Sequence, residues 1–385
     1  MVTEPFDTIS LGELRKRTSE KWTTYPPDIL PAFVAEMDFP LAPSIREALA
    51  QAVERSDSGY AGTTDLAAAF RDFARRAFEW TVDERSVIAL PDVMAGVTEA
   101  LHALTPAGAG VAINPPVYPP FFEVIRNAGR QIVEVPLRHD AQQRYRLDLD
   151  RLENVFAAGA RAYLLCSPHN PVGRVWSRDD LSQIAALARK YGVVVIADEI
   201  HAPLTMPGKR FVPFLTVAQD DVNCVALLSA SKAWNIAGLK CAVAVAGPSV
   251  RSALNEHVKK TPTSIRDRIG QFGALASAAA FRDESPWLDE LRSYLDANRC
   301  LLRELLAANV PAVRYELPQA TYLGWIDCGE VGFGQDPARA FLERGRVALE
   351  AGYKFGTGGE RFVRLNFGTS QPILREIVGR MKRAL

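Results

Sequence analysis

The chain has 385 residues, 48% of them hydrophobic, and its 45 Lys+Arg balance 45 Asp+Glu, so the formal net charge is zero. That hydrophobic share can bury a large core, while the charge balance gives no electrostatic reason to bind nucleic acid or an acidic membrane surface. Small neutral or zwitterionic molecules are the expected partners. Five cysteines (Cys166, Cys224, Cys241, Cys300 and Cys328) are widely spaced and lack CxxC or Cys/His ligand spacing, which predicts reduced thiols and no metal site. No apolar run approaches the length of a membrane span, and the expected location is the cytoplasm.

The Pro-rich first 45 residues are too irregular to fold alone and are expected to drape over a smaller C-terminal lobe or over a partner subunit. From about Val87 to Val245, short apolar runs alternate with helical patterns, the mark of an α/β domain. The runs Val111 to Ile113, Tyr163 to Leu165, Val193 to Ala197 and Val225 to Leu228 lack polar interruptions, as strands covered on both faces should. A parallel sheet is the simplest reading. Between the second and third, Ser177 to Asp180 form a capping-box-like start, Leu181, Ile184, Ala185 and Ala188 an apolar stripe, and Gly192 a stop. From about Ser285 a long helical pattern runs to Pro311, followed by strand patterns around Tyr322 to Ile326 and Phe362 to Leu365. The expected organisation is an N-terminal arm with part of a small domain over 1–45, a large domain over 46–284 and a small α+β domain over 285–385.

Ligands of open α/β sheets sit outside the carboxyl ends of the strands, so the residues after each apolar run carry most information. These segments are Asn114 to Tyr118, Ser167 to Gly173, Asp198 to His201 and Ser229 to Lys232. A lysine after a buried strand can form a Schiff base with a carbonyl cofactor, although a solvated loop lysine fits the same position. Asp198 ends a fully apolar run and needs a cationic partner, a helix cap or a salt bridge. Tyr118 can stack on a ring or simply fill space, Asn170 can donate to a ligand or shape a turn, and His201 can be structural or a neighbour of a ring oxygen. Ser229 and Lys240 can hold a phosphate by hydroxyl and charge, or be ordinary surface residues. Arg364, inside an otherwise apolar strand pattern, needs an anion, either a substrate carboxylate or an internal Asp/Glu. Together the set supplies what pyridoxal phosphate requires: an amine for the aldehyde, a carboxylate for the ring nitrogen, a donor for the phenolate oxygen and a stacking ring.

With these residues in place, the chain resembles the fold type I pyridoxal phosphate enzymes of the class I/II aminotransferase superfamily over nearly its whole length. The resemblance rests on Ser167 to Gly173, Ala197 to His201, Ser229 to Lys232 and Val363 to Phe367, which match the superfamily's motifs in order. Within it the chain is most similar to the MalY/PatB type of carbon-sulfur β-lyase, the cystathionine β-lyase type, through Lys21-Trp22, Val34 to Phe39, Ser231 to Leu239 and Pro318 to Trp325. The resemblance implies a large domain with a mostly parallel, seven-stranded-type sheet, a smaller α+β domain, and a homodimer with active sites at the subunit interface. It implies that Lys232 binds pyridoxal 5'-phosphate, Asp198 pairs with its ring nitrogen, Asn170 and His201 lie near its phenolate oxygen, and Tyr118 stacks on it. Val93, Met94 and Ala95 would offer backbone amides to the phosphate together with Ser229, Lys240 and, from the other subunit, Tyr60. Arg364 and Tyr322 would bind substrate. The implied reaction is β-elimination from L-cystathionine or a related L-cysteine S-conjugate, with transamination to a 2-oxo acid as the alternative and a non-catalytic regulatory role as a third reading. Asp92 departs from the Gly or Ser common after the proline of the phosphate loop, Glu36 replaces a common Asp, and Lys240 stands where many aminotransferases have arginine.

Overall fold

The structure is a computed structural model, described over residues 5–142, 144–261 and 267–385. Its central sheet has seven strands in the order Val87–Leu90, Ala242–Ala246, Cys224–Leu228, Val194–Asp198, Ala162–Cys166, Gly110–Ile113 and Gln131–Glu134. The apolar runs expected to be strands are strands, and the four adjacent ones from Cys224–Leu228 to Gly110–Ile113 are parallel. Their lack of polar interruption follows from burial on both sides. Along Val194–Asp198, Val194 and Ile196 enter one apolar cluster while Val195 and Ala197 enter another, the period of two that a doubly covered strand must have.

The sheet is mostly parallel, as expected, and the departure from a simple parallel sheet is at Ala242–Ala246, which runs antiparallel to both of its neighbours. The connection from Cys224–Leu228 explains the reversal. It is a turn and one short 3₁₀ segment, Ala237–Leu239, without the crossover helix that a parallel neighbour needs.

The helix Arg178–Tyr191 starts as expected, with the Ser177 and Asp180 side chains capping each other's backbone amides, and ends at Gly192 with φ 65°. The long helix spans Trp287–Asn309 and stops just before Pro311. After it, Arg314–Tyr315, Leu323–Asp327, Phe362–Asn366 and Glu350–Ala351 form a four-stranded antiparallel sheet. The N-terminal segment lies on this C-terminal part: Leu30–Pro31 pairs in parallel with Val347–Ala348, and the Asp38 amide donates to the Gly368 carbonyl. Among the described residues no helix is long and apolar enough to cross a membrane.

Candidate active site

Because the four central strands are parallel, their carboxyl ends share one rim, and the polar segments that follow them converge there. A cavity of about 660 Å³ opens at that rim. Lys232, Asp198, Asn170, His201 and Tyr118 line it, and so do Val93, Met94, Ser229 and Lys240. The opposite wall is a segment of the N-terminal arm, Val34 to Glu36, with Ser19 and Glu20 beside it.

Lys232 sits in the tight turn after Cys224–Leu228, and its Nζ donates to the Ala35 carbonyl at 3.0 Å. Burial, reinforced by the Arg364 charge, pulls its pKa down to about 8, while Asp198 opposes that shift. The amine is thereby moved towards the neutral, nucleophilic form. Asp198 closes its strand and is 4% exposed. One carboxylate oxygen accepts the Ile200 amide at 3.1 Å, and among the described residues no cation forms an ion pair with it. Burial therefore raises its pKa to about 7. His201, also buried, leaves Nδ1 without a hydrogen-bond partner, and burial together with the positive charges of Lys232 and Arg364 pulls its pKa down to about 3. An unpaired buried carboxylate and an unpaired ring nitrogen are costly unless a ligand answers them.

Arg364 occupies the middle of Phe362–Asn366 and is 4% exposed. One guanidinium nitrogen donates to Asn170 Oδ1 at 3.2 Å and another to the Phe33 carbonyl at 2.9 Å, while Nε has no partner. The cation lies over the Phe355 ring, 5.1 Å from its centroid. Among the described residues no Asp or Glu forms an ion pair with it: Glu350, its cross-strand neighbour, is paired with Lys354 instead. Asn170 thus joins the cavity to the arginine. Tyr118 is half-buried beside Phe121, and burial pushes its hydroxyl up to about 12.

Phosphate-type donors gather at the start of the helix Val93–Leu104. The amides of Val93 and Met94 belong to its first turn, where no intrahelical acceptor exists, and point to where an anion is favoured. Ser229 Oγ is hydrogen-bonded to Ser231 Oγ at 2.7 Å and donates to the Cys241 carbonyl at 2.6 Å. Two expectations need correction, those for Ala95 and Tyr322. The Ala95 amide is already given to Asp92 Oδ1 at 2.9 Å. Tyr60, expected to act from another subunit, is 89% exposed and outside the cavity of its own chain. Tyr322 does not line it either: its ring is fully buried and its hydroxyl donates to the Ala35 carbonyl at 2.9 Å, the same oxygen that Lys232 uses.

Asn235 and the wall formed by the N-terminal arm had no assigned role. Asn235, with φ 56°, accepts the Met37 amide at 2.8 Å and donates to the Met37 carbonyl at 2.7 Å, tying the lysine turn to the wall. Behind the wall Lys21 and Asp38 form a buried ion pair at 2.7 Å. The signal was present, since Glu36 and Asp38 interrupt the apolar run Val34 to Phe39, but their partners are far away in sequence.

The pattern of the aminotransferase class I and II family matches residues 34–381. The chain belongs to that family. It is 35% identical to a cystathionine β-lyase of Corynebacterium glutamicum, over 97% of this chain and 99% of the relative. It is 34% identical to the cystathionine β-lyase PatB of Bacillus subtilis, over 93% of each chain. Among solved structures, cystalysin from Treponema denticola, which contains a pyridoxal 5'-phosphate cofactor, superposes with a TM-score of 0.90 at 27% identity, covering 100% of this chain and 99% of that one. The family's fold type I architecture is thus the architecture of this chain.

Proposed function

We propose that this chain is a pyridoxal phosphate-dependent carbon-sulfur β-lyase that cleaves L-cystathionine or related L-cysteine S-conjugates to a thiol, pyruvate and ammonia. The observation that carries this reading is the placement of the Lys232 amine in one cavity with Asp198, which has no cationic partner among the described residues, and with the unpaired His201 ring nitrogen. These are the groups a phosphorylated pyridine aldehyde would satisfy. Relatives at 34–35% identity named as cystathionine β-lyases support the reaction class.

In this reading Asp198 holds the ring nitrogen protonated, Asn170 and His201 face the phenolate oxygen, and Tyr118 covers a ring face. Val93, Met94, Ser229 and Lys240 hold the phosphate, with Tyr60 contributed across a homodimer interface for which its exposure leaves it available. Pyridoxal phosphate, when bound, supplies an electron sink next to the substrate Cα. Arg364 clamps the substrate carboxylate, and Tyr322 steadies the Ala35 wall on which the substrate rests. Lys232 takes the Cα proton as general base. A thiol has a reference pKa of about 8.5, so the sulfur departs as thiolate without a strong acid beside it. The arm over 1–45, a large domain over 46–284 and a small domain over 285–385 would then form one cytoplasmic protomer, with the site where they meet.

The test is to incubate the cofactor-loaded protein with L-cystathionine and no oxo acid, and to measure pyruvate and free thiol. Formation of both is the expected result. Turnover only in the presence of a 2-oxo acid would replace the lyase reading by transamination.

A further inference from the structure

The phosphate end of the cavity contains a carboxylate. Asp92 is the N-cap of the helix Val93–Leu104, and its Oδ1 accepts the Ala95 amide at 2.9 Å. Its other oxygen is ion-paired with Lys240 Nζ at 3.2 Å. Both residues line the cavity, and their side chains are 41% and 57% exposed, so an incoming ligand can reach the pair. Lys240 is held at this place by its own backbone, which adopts φ 60°.

Two of the groups expected to receive a phosphate, an amide of the first helical turn and the ammonium of Lys240, are therefore already occupied by one internal anion. An aspartate here satisfies the orphan amide and the positive end of the helix dipole in the unloaded chain. It also places a negative charge where a phosphate dianion has to arrive, and like charges at such distances repel. We infer that Asp92 acts as an internal stand-in for the cofactor phosphate, which must displace it from Lys240 and the Ala95 amide, so that Asp92 weakens cofactor binding and keeps the cofactor exchangeable. The inference rests on the pyridoxal phosphate reading above and adds a residue that tunes how tightly that cofactor is held.

Asparagine and serine cap helices about as well as aspartate, so Asp92→Asn and Asp92→Ser preserve the cap while removing the charge. The unloaded wild type and both variants would be titrated calorimetrically with pyridoxamine 5'-phosphate, which cannot link covalently to Lys232, and with unphosphorylated pyridoxamine. The expected result is about tenfold tighter binding of the phosphorylated ligand by the variants, with no change for pyridoxamine. A purely structural role for Asp92 would move both ligands together. Unchanged or weaker binding of the phosphorylated ligand by folded variants would overturn the inference, by showing that Asp92 is neutral or positions Lys240 for the phosphate. Inorganic phosphate provides a separate arm: it should raise the melting temperature of Asp92→Asn more than that of the wild type. A wild type that binds neither pyridoxamine form, but shows this phosphate effect, would overturn the cofactor reading and leave the competing carboxylate standing.

Discussion

The two walls of the cavity are built on opposite principles. On the side of the central sheet, Asp198 and His201 are each 4% exposed or less, Asp198 without a counter-charge among the described residues and His201 with Nδ1 unpaired, and behind them Arg364, bonded to Asn170, leaves Nε unpaired. On the side of the N-terminal arm, Trp22 Nε1 and Asp38 Oδ1 are left without a partner, but the groups that shape the wall are held within the chain. Asn366 donates to the Val34 carbonyl at 2.8 Å and the Glu36 carbonyl at 2.6 Å, Asn235 brackets Met37, and Lys21 pairs with Asp38. The difference separates a surface waiting for a ligand from a scaffold that holds its shape alone. Substitutions on the first should disturb binding and chemistry, and substitutions on the second should disturb stability.

The largest effect is expected at Lys232. Lys232→Ala should lower pyruvate formation by about 10³-fold or more, since under the proposed function it removes both covalent attachment and the general base. Borohydride treatment should then leave no cofactor bound to the protein, as mass spectrometry would read. Retention of a reducible link would place the attachment elsewhere. Asp198→Asn should follow, with a loss of about 10²-fold or more in kcat and weaker cofactor binding but little loss of stability in the unloaded protein, because a costly buried charge is removed. A fall in melting temperature of the unloaded variant would contradict the contrast drawn between the walls.

On the scaffold side, Lys21→Met should destabilise by about 3–5 kcal/mol, because it strands Asp38 as an unpaired buried carboxylate. Denaturant unfolding measures this, and a neutral result would mean that water reaches Asp38. The smallest effect concerns Glu199, which lies beside Asp198 and is completely buried. Burial raises its pKa to about 8 from an ordinary 4.5, although its Oε1 accepts the Phe214 amide at 2.7 Å. Between those values the folded chain binds more protons than the unfolded one, so stability falls as pH rises. Asp198, raised to about 7, acts in the same direction but only up to that pH. His169 and His201, pulled down to about 4 and 3, act oppositely and only below about 6.5, while Lys232, lowered to about 8, adds stability only above 8. The melting temperature of the unloaded protein should therefore drop from pH 7 to pH 8, and Glu199→Gln should flatten that slope.

Much of the sheet side was legible because its information is local. An uninterrupted apolar run announces a doubly covered strand, and the residue that ends it, whether Asp198 or the lysine four residues after Leu228, is thereby assigned to the rim. The capping residues of the helix Arg178–Tyr191 were equally plain, since a cap is a contact between residues three apart. The antiparallel strand Ala242–Ala246 was not legible, because an apolar strand buried on both faces carries no mark of its direction.

The sequence by itself determined the α/β class, the order of the main elements, and the position of Asp198 and Lys232 at or just after the ends of buried strands. Each of those follows from periodicity or from a polar residue at the end of a buried strand. Only the tertiary structure decided that Arg364 answers to Asn170 and Phe33 rather than to a carboxylate, that Tyr322 and Lys232 share the Ala35 carbonyl, and that Asp92 already holds Lys240 and the Ala95 amide. Several of these pairings join residues more than a hundred positions apart. Which of several chemically equivalent partners a charged group takes depends on distance, and no spacing along the chain encodes distance between segments that meet only when the core closes.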